Sequence, residues 1–217
     1  MDCRRFISRF LMPVLPWRAL PATIAWTLGG ALVAGLYGIL HDQVTWTIGP
    51  EYFTRLKFDQ FAWADPGWGG PRVFAGIIGF LATWWVGAMV AWILCRVSLW
   101  HEDRLPPTGE MGRAFAAVFA VSMLTAAGGW AWGQWRKSTG YDEGWHDLMY
   151  SLGVTTPEAF MTVAYIHNAS YLGGVMGMTV GLVLLHRQRG KRYAGGLKES
   201  PAERERLGTG RDRNEIR

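Results

Sequence analysis

Charge is missing from nearly half of this chain. Among its 217 residues, four stretches contain no Lys, Arg, Asp or Glu: residues 19–40, 73–95, 114–135 and 159–186, of 22, 23, 22 and 28 residues. A helix rising about 1.5 Å per residue crosses the roughly 30 Å hydrocarbon core of a bilayer in about 20 residues, so each stretch is long enough to span it. This distribution excludes a soluble globular domain. Cysteine is nearly absent: Cys3 and Cys95 are the only two, and no structural disulfide is expected. There is no His-x-x-x-His, Cys-x-x-Cys or Cys-x-x-Cys-His, hence no recognised metal or haem signature. No Gly-x-Ser-x-Gly turn marks a nucleophile, and neither Gly128-Gly129 nor Gly195-Gly196 follows a strand-like run as a phosphate loop would. No ionised side chain sits in the middle of a span, which weighs against a pump or ion-coupled transporter.

What is present is basic and unevenly placed. The formal net charge is +5, and ten of the 22 Lys and Arg residues follow residue 186. Arg4, Arg5, Arg9, Arg18, Arg96, Arg104, Arg113 and the ten tail residues fall on one side of the spans. Arg55, Lys57, Arg72, Arg136 and Lys137 fall on the other. The positive-inside rule then puts both termini in the cytoplasm. The positive N-terminus resembles a signal peptide, but it lacks an Ala-x-Ala-like cleavage site and runs straight into an uncharged stretch, so an uncleaved first span is expected.

The expected architecture is all-α: a four-transmembrane-helix bundle over residues 19–186, with spans near 19–40, 73–95, 114–135 and 159–186. A short amphipathic cytoplasmic helix precedes it in residues 1–18, and a disordered basic tail follows in 187–217. In the first outer connection, Val44–Ile48 alternates like a strand, Gly49-Pro50-Glu51 reads as a helix start, and the aromatic segment after it suits the membrane surface. Thr156-Pro157-Glu158 starts the fourth span, with Thr at the cap and Pro at the first helical position. Small residues four apart predict close-packing seams: Gly30, Ala34 and Gly38; Thr83, Gly87 and Ala91; Gly112, Ala116 and Ala120; Gly173, Gly177 and Gly181. Most of the 13 tryptophans, Trp26 included, sit near span ends and read as an interfacial belt.

The candidate site residues gather on the outer face. His41 ends the first span, Asp42 follows it, Glu51 lies in the first outer loop, His146 in the third connection beside Asp142, Glu143 and Asp147, and His167 just inside the fourth span. The expectation is that these five converge. Imidazoles and carboxylates so placed can hold a transition metal, and His41 and His167 at equal depth can hold a haem iron. The competing reading makes His167 a buried hydrogen-bonding residue and His41 an interfacial cap. His101 and His186 read as solvated positions.

His41-Asp-Gln-Val-Thr, followed by Gly49-Pro-Glu-Tyr-Phe-Thr-Arg-Leu-Lys-Phe-Asp-Gln-Phe61, resembles a group of bacterial multi-span membrane proteins to which no activity is assigned. The resemblance implies a multi-pass protein of the bacterial inner membrane and directs attention to His41, Asp42, Gln43, Glu51 and Tyr52. It supplies no catalytic residue. The leading functional expectation is a non-enzymatic accessory or assembly subunit whose first outer loop meets another membrane protein. The alternatives are a haem- or metal-binding redox protein and a small-solute transporter or channel. Anionic lipid headgroups, rather than nucleic acid, are the expected partners of the tail.

Overall fold

The computed structural model describes residues 16–99, 104–141 and 143–198. The amphipathic arm up to residue 15, Cys3, His101, Asp142 and the tail from residue 199 lie outside the described residues. Four helices are long and apolar enough to cross a membrane, and no strand occurs among the described residues. They are Leu20–Ile48, Gly70–Leu99, Thr108–Thr139 and Pro157–Lys198. The first starts one residue inside its uncharged stretch and runs eight past its far end, and the other three outrun theirs at both ends.

Two expected element boundaries change. Val44–Ile48 is not a strand but the last turns of the first long helix. An isolated strand would leave its backbone donors and acceptors unpaired, whereas the helix satisfies them internally. The threonine hydroxyls follow suit: Thr45 donates to the His41 carbonyl at 3.0 Å and Thr47 to that of Val44 at 2.6 Å. The second change is at the other end. The fourth long helix continues past Arg187 to Lys198, with Arg192 paired to Glu110 of the third helix and Arg189 over the Tyr193 ring. The tail is therefore not disordered from residue 187.

The four helices pack as two pairs, the first with the second and the third with the fourth, and the two pairs touch each other sparsely. Small residues explain the first pair. A side-chain carbon added at Gly30 would sit 2.7 Å from the Gly87 carbonyl oxygen, and Gly38 abuts Gly79 and Thr83. The Thr83 hydroxyl, 2.8 Å from the Ala34 carbonyl oxygen, adds a polar link between the helices. In the second pair, Gly173 and Gly177 of the fourth helix meet Ser122, Thr125 and Val118 of the third, and Gly129 and Gly133 of the third meet Tyr165 and Thr162. The predicted row at Gly112, Ala116 and Ala120 is on another face: Gly112 has nothing near it, and Ala116 and Ala120 are exposed.

Buried apolar clusters tie the pairs together at opposite ends of the helices. Tyr52, Phe53, Ala75, Met149, Phe160 and Met161 form one, and Val90, Leu94, Cys95, Met111, Ala114 and Leu185 the other. The first cluster needs two connections that fold inward. After Gly49, helical turns run from Pro50 to Gln60, with a π-helical turn over Phe53–Lys57 that rotates the following side chains. The loop thus buries Tyr52 and Phe53 instead of leaving all its aromatics on the surface. A short helix, Glu143–Ser151, brings Met149 to the same place and stops at Gly153, whose φ of 63° suits a residue without a side chain.

Candidate functional site

His41 and Asp42 sit two turns before the end of the first long helix, and His167 sits in the fourth, opposite them. One donor atom from each of the three lies within 4.8 Å of the other two. His167 and Asp42 are buried, and their Nε2 and Oδ1 atoms are 3.1 Å apart. The other His167 nitrogen, Nδ1, donates to the Val163 carbonyl at 3.0 Å, which fixes the ring. The His41 ring packs edge to face on that of His167, with centroids 4.8 Å apart. Its Nδ1 is 3.3 Å from the Tyr37 hydroxyl, while its buried Nε2 has no hydrogen-bond partner among the described residues.

The first loop closes the site from above. Tyr52 lies tilted against His167 and Phe53 meets it edge-on, at 4.8 and 5.9 Å between ring centroids. The π-helical turn directs Lys57 inward, where its ammonium contacts Gln60 Oε1 at 3.1 Å and lies 5.6 Å from the Tyr52 ring centre. Burial pushes the Lys57 pKa down, and the nearby Asp42 charge pulls it part of the way back. Burial, Tyr171 and Asp42 all push the Tyr52 phenol up.

Two of the five expected residues stand apart. Glu51 caps the fourth long helix: its carboxylate accepts the backbone N–H groups of Thr155 and Thr156 and both their hydroxyls, at 2.5 to 3.2 Å. Burial works against ionisation of Glu51, but these donors outweigh it and hold its carboxyl down at about 2. His146 is exposed on the short helix, with Nε2 donating to the Tyr141 carbonyl at 3.1 Å. Convergence thus holds for His41, Asp42 and His167, and not for Glu51 or His146.

Below the triad the two helix pairs part. A cavity of about 510 Å³ lies between them, within the range of small-molecule sites. It extends from His41, Asp42, Lys57, Phe61 and His167 past Val33, Ala82, Val86 and Phe119 to Trp26, Val90 and Phe115. Trp26 and His41 are fifteen residues apart, roughly 22 Å along the helix, so the cavity is long and mostly apolar, with its ionisable side chains at one end. Two aromatic contacts cross between the pairs along it: Trp26 stacks on Phe115 at 5.2 Å, and Tyr37 meets Phe119 edge-on at 5.0 Å. Trp26 accordingly lines the cavity.

The triad geometry favours a compact occupant over a macrocycle. An iron held by two axial imidazoles puts their nitrogens about 4 Å apart across the haem plane, with each ring aimed at the metal. Here the rings pack against each other, leaving no slot between them for a porphyrin. A single ion or proton fits. No family model matches the chain, and no curated protein or solved structure matches it either.

Sequence reasoning missed Tyr37, Ser170 and Tyr171. Their signal was spacing: Tyr37 lies four residues before His41, and Ser170 and Tyr171 lie three and four after His167, on the same helix faces. Lys57 had no such signal, because the π-helical turn changes the register that would place it.

Proposed function

We propose that this chain is an inner-membrane protein that binds an amphipathic small molecule between its two helix pairs. The apolar body of the ligand, an acyl or isoprenoid chain, lies against Val33, Ala82, Val86 and Phe119. Its head, a group rich in oxygen acceptors, meets the Lys57 ammonium beside the His41, Asp42 and His167 cluster. The observation that carries this reading is the elongated cavity, mostly apolar along its length, with its ionisable side chains at one end only. An aqueous path for a polar solute would need polar groups along the whole length, so the channel reading is less well supported. The accessory-subunit reading loses some support as well, since Glu51, Tyr52 and Phe53 of the first loop are engaged within the chain itself.

The basic-residue asymmetry supports an orientation with both termini cytoplasmic and the triad toward the outer leaflet. The test is extraction and native mass spectrometry of protein purified in mild detergent. A defined amphiphile should accompany the wild-type chain at about one per protein. Gly29 faces the cavity and has open space where a side chain would start. Gly29→Phe should therefore fill the cavity without disturbing the helix pair, and the amphiphile should be lost. Equal retention of bulk phospholipid by both proteins would defeat the proposal.

A further inference from the structure

Hydrogen-bond direction around His167 can be assigned. Its Nδ1–H is committed to the Val163 carbonyl, which leaves the Nε2 of a neutral ring as a lone pair facing the Asp42 carboxylate at 3.1 Å. Beside them His41, whose Nδ1 lies 3.3 Å from the Tyr37 hydroxyl, has a buried Nε2 with no partner among the described residues. Two facing acceptors and an unpartnered imidazole nitrogen thus share one buried place. Left alone, this would be costly, because a buried acceptor without a partner carries its full desolvation penalty.

A shared proton between His167 Nε2 and Asp42 Oδ1 satisfies that pair and leaves the buried His41 Nε2 without a partner among the described residues. A divalent cation satisfies all three. We infer that His41, Asp42 and His167 form a three-ligand site for a first-row divalent transition-metal ion, with an open coordination position toward the cavity. Two imidazole nitrogens and one carboxylate oxygen are a donor set for zinc or ferrous iron, and three protein ligands with a vacant place are the pattern of sites that bind a further oxygen ligand. The His167 Nδ1–H bond to Val163 and the Tyr37 hydroxyl beside His41 Nδ1 are the outer contacts that orient such ligands. All three residues line the cavity, so an oxygen-bearing head group can reach the open position. This inference stands whether or not an amphiphile occupies the cavity.

The test uses the full chain purified in mild detergent on a tag that contains no histidine, stripped with a chelator and titrated with Co²⁺ alone. Saturation at one Co²⁺ per chain is expected, with visible ligand-field bands that Zn²⁺ abolishes by displacement. X-ray absorption should show two imidazoles at about 2.1 Å from the metal. Asp42→Asn and His41→Ala should weaken binding by at least about 100-fold, while His146→Ala should bind as the wild type does. The X-ray fingerprint of the wild type decides the matter even if a variant fails to fold. Lack of saturable binding by the wild type, undiminished binding by Asp42→Asn, or a metal shell without imidazole would each overturn the assignment.

Discussion

The Glu51 carboxylate reaches across 105 residues of sequence to accept both the backbone N–H of Thr156, at 2.7 Å, and its hydroxyl, at 2.5 Å. Thr156 precedes Pro157, the first residue of the fourth long helix, so the first loop supplies the anion at the positive end of a helix from the other pair. With Tyr52 against Phe160 and His167, this fixes the lid of the site.

Glu51→Ala should destabilise the protein by roughly 1–2 kcal/mol, the scale of a lost helix cap. The pH dependence has a definite sign. The folded-state carboxyl is held at about 2, below its ordinary 4.5, so its contribution is complete above pH 4.5 and is lost as the pH falls toward 2. Thermal unfolding in detergent should show the wild type losing stability across that window and the alanine variant losing less. Parallel curves for the two proteins would mean that the cap contributes nothing.

Glycine contacts separate the close seams from the open faces. A side-chain carbon at Gly177 would meet Val118 backbone atoms at 2.8 Å, while one at Gly112 would meet nothing. Gly177→Leu should cost about 1–3 kcal/mol through overpacking and should lower the aggregation temperature, whereas Gly112→Leu should leave it unchanged or raise it slightly. Similar behaviour of the two variants would reject the observed helix faces.

Much of this was legible in the residues. The four long apolar helices follow from where charge is absent, and three of the four small-residue rows lie at helix contacts because Gly and Ala are most informative where backbones touch. The row at Gly112 misled for the same reason in reverse: small residues also line cavities, and sequence does not say which side of a helix has a neighbour. The Val44–Ile48 alternation was over-read because β-branched residues carry a strand signal in water that a dry environment overrides. In the site, His41, Asp42 and His167 were identifiable as rare polar residues at the ends of apolar runs. The capping role of Glu51 was not, since a contact across 104 residues leaves no local pattern.

Orientation is tested by labelling. Single cysteines at Thr54, Thr139 and Thr108, in a background lacking Cys3 and Cys95, should react differently with an impermeant thiol reagent in intact spheroplasts. Thr54 and Thr139 should label and Thr108 should not, as the 17-to-5 division of Lys and Arg between the two sides requires. Labelling at Thr108 would invert or break the topology.

Lys57 offers a way to separate head-group recognition from metal binding. Its ammonium lines the polar end of the cavity but is not among the three clustered ligands. Burial lowers its pKa while Asp42 opposes that shift, so the local field favours a second negative charge close by. An anionic head group can supply that charge. Lys57→Met keeps the apolar stem that packs under Tyr52 and removes only the cation. Co²⁺ affinity should therefore change by less than about threefold, whereas retention of an anionic amphiphile should fall by tenfold or more, the scale of a lost charge-assisted hydrogen bond. Native mass spectrometry with matched anionic and zwitterionic lipids reads the difference. If both lipids are retained equally by the wild type and by Lys57→Met, the lysine is a structural contact of Tyr52 and Gln60, and the polar end of the cavity does not select charge.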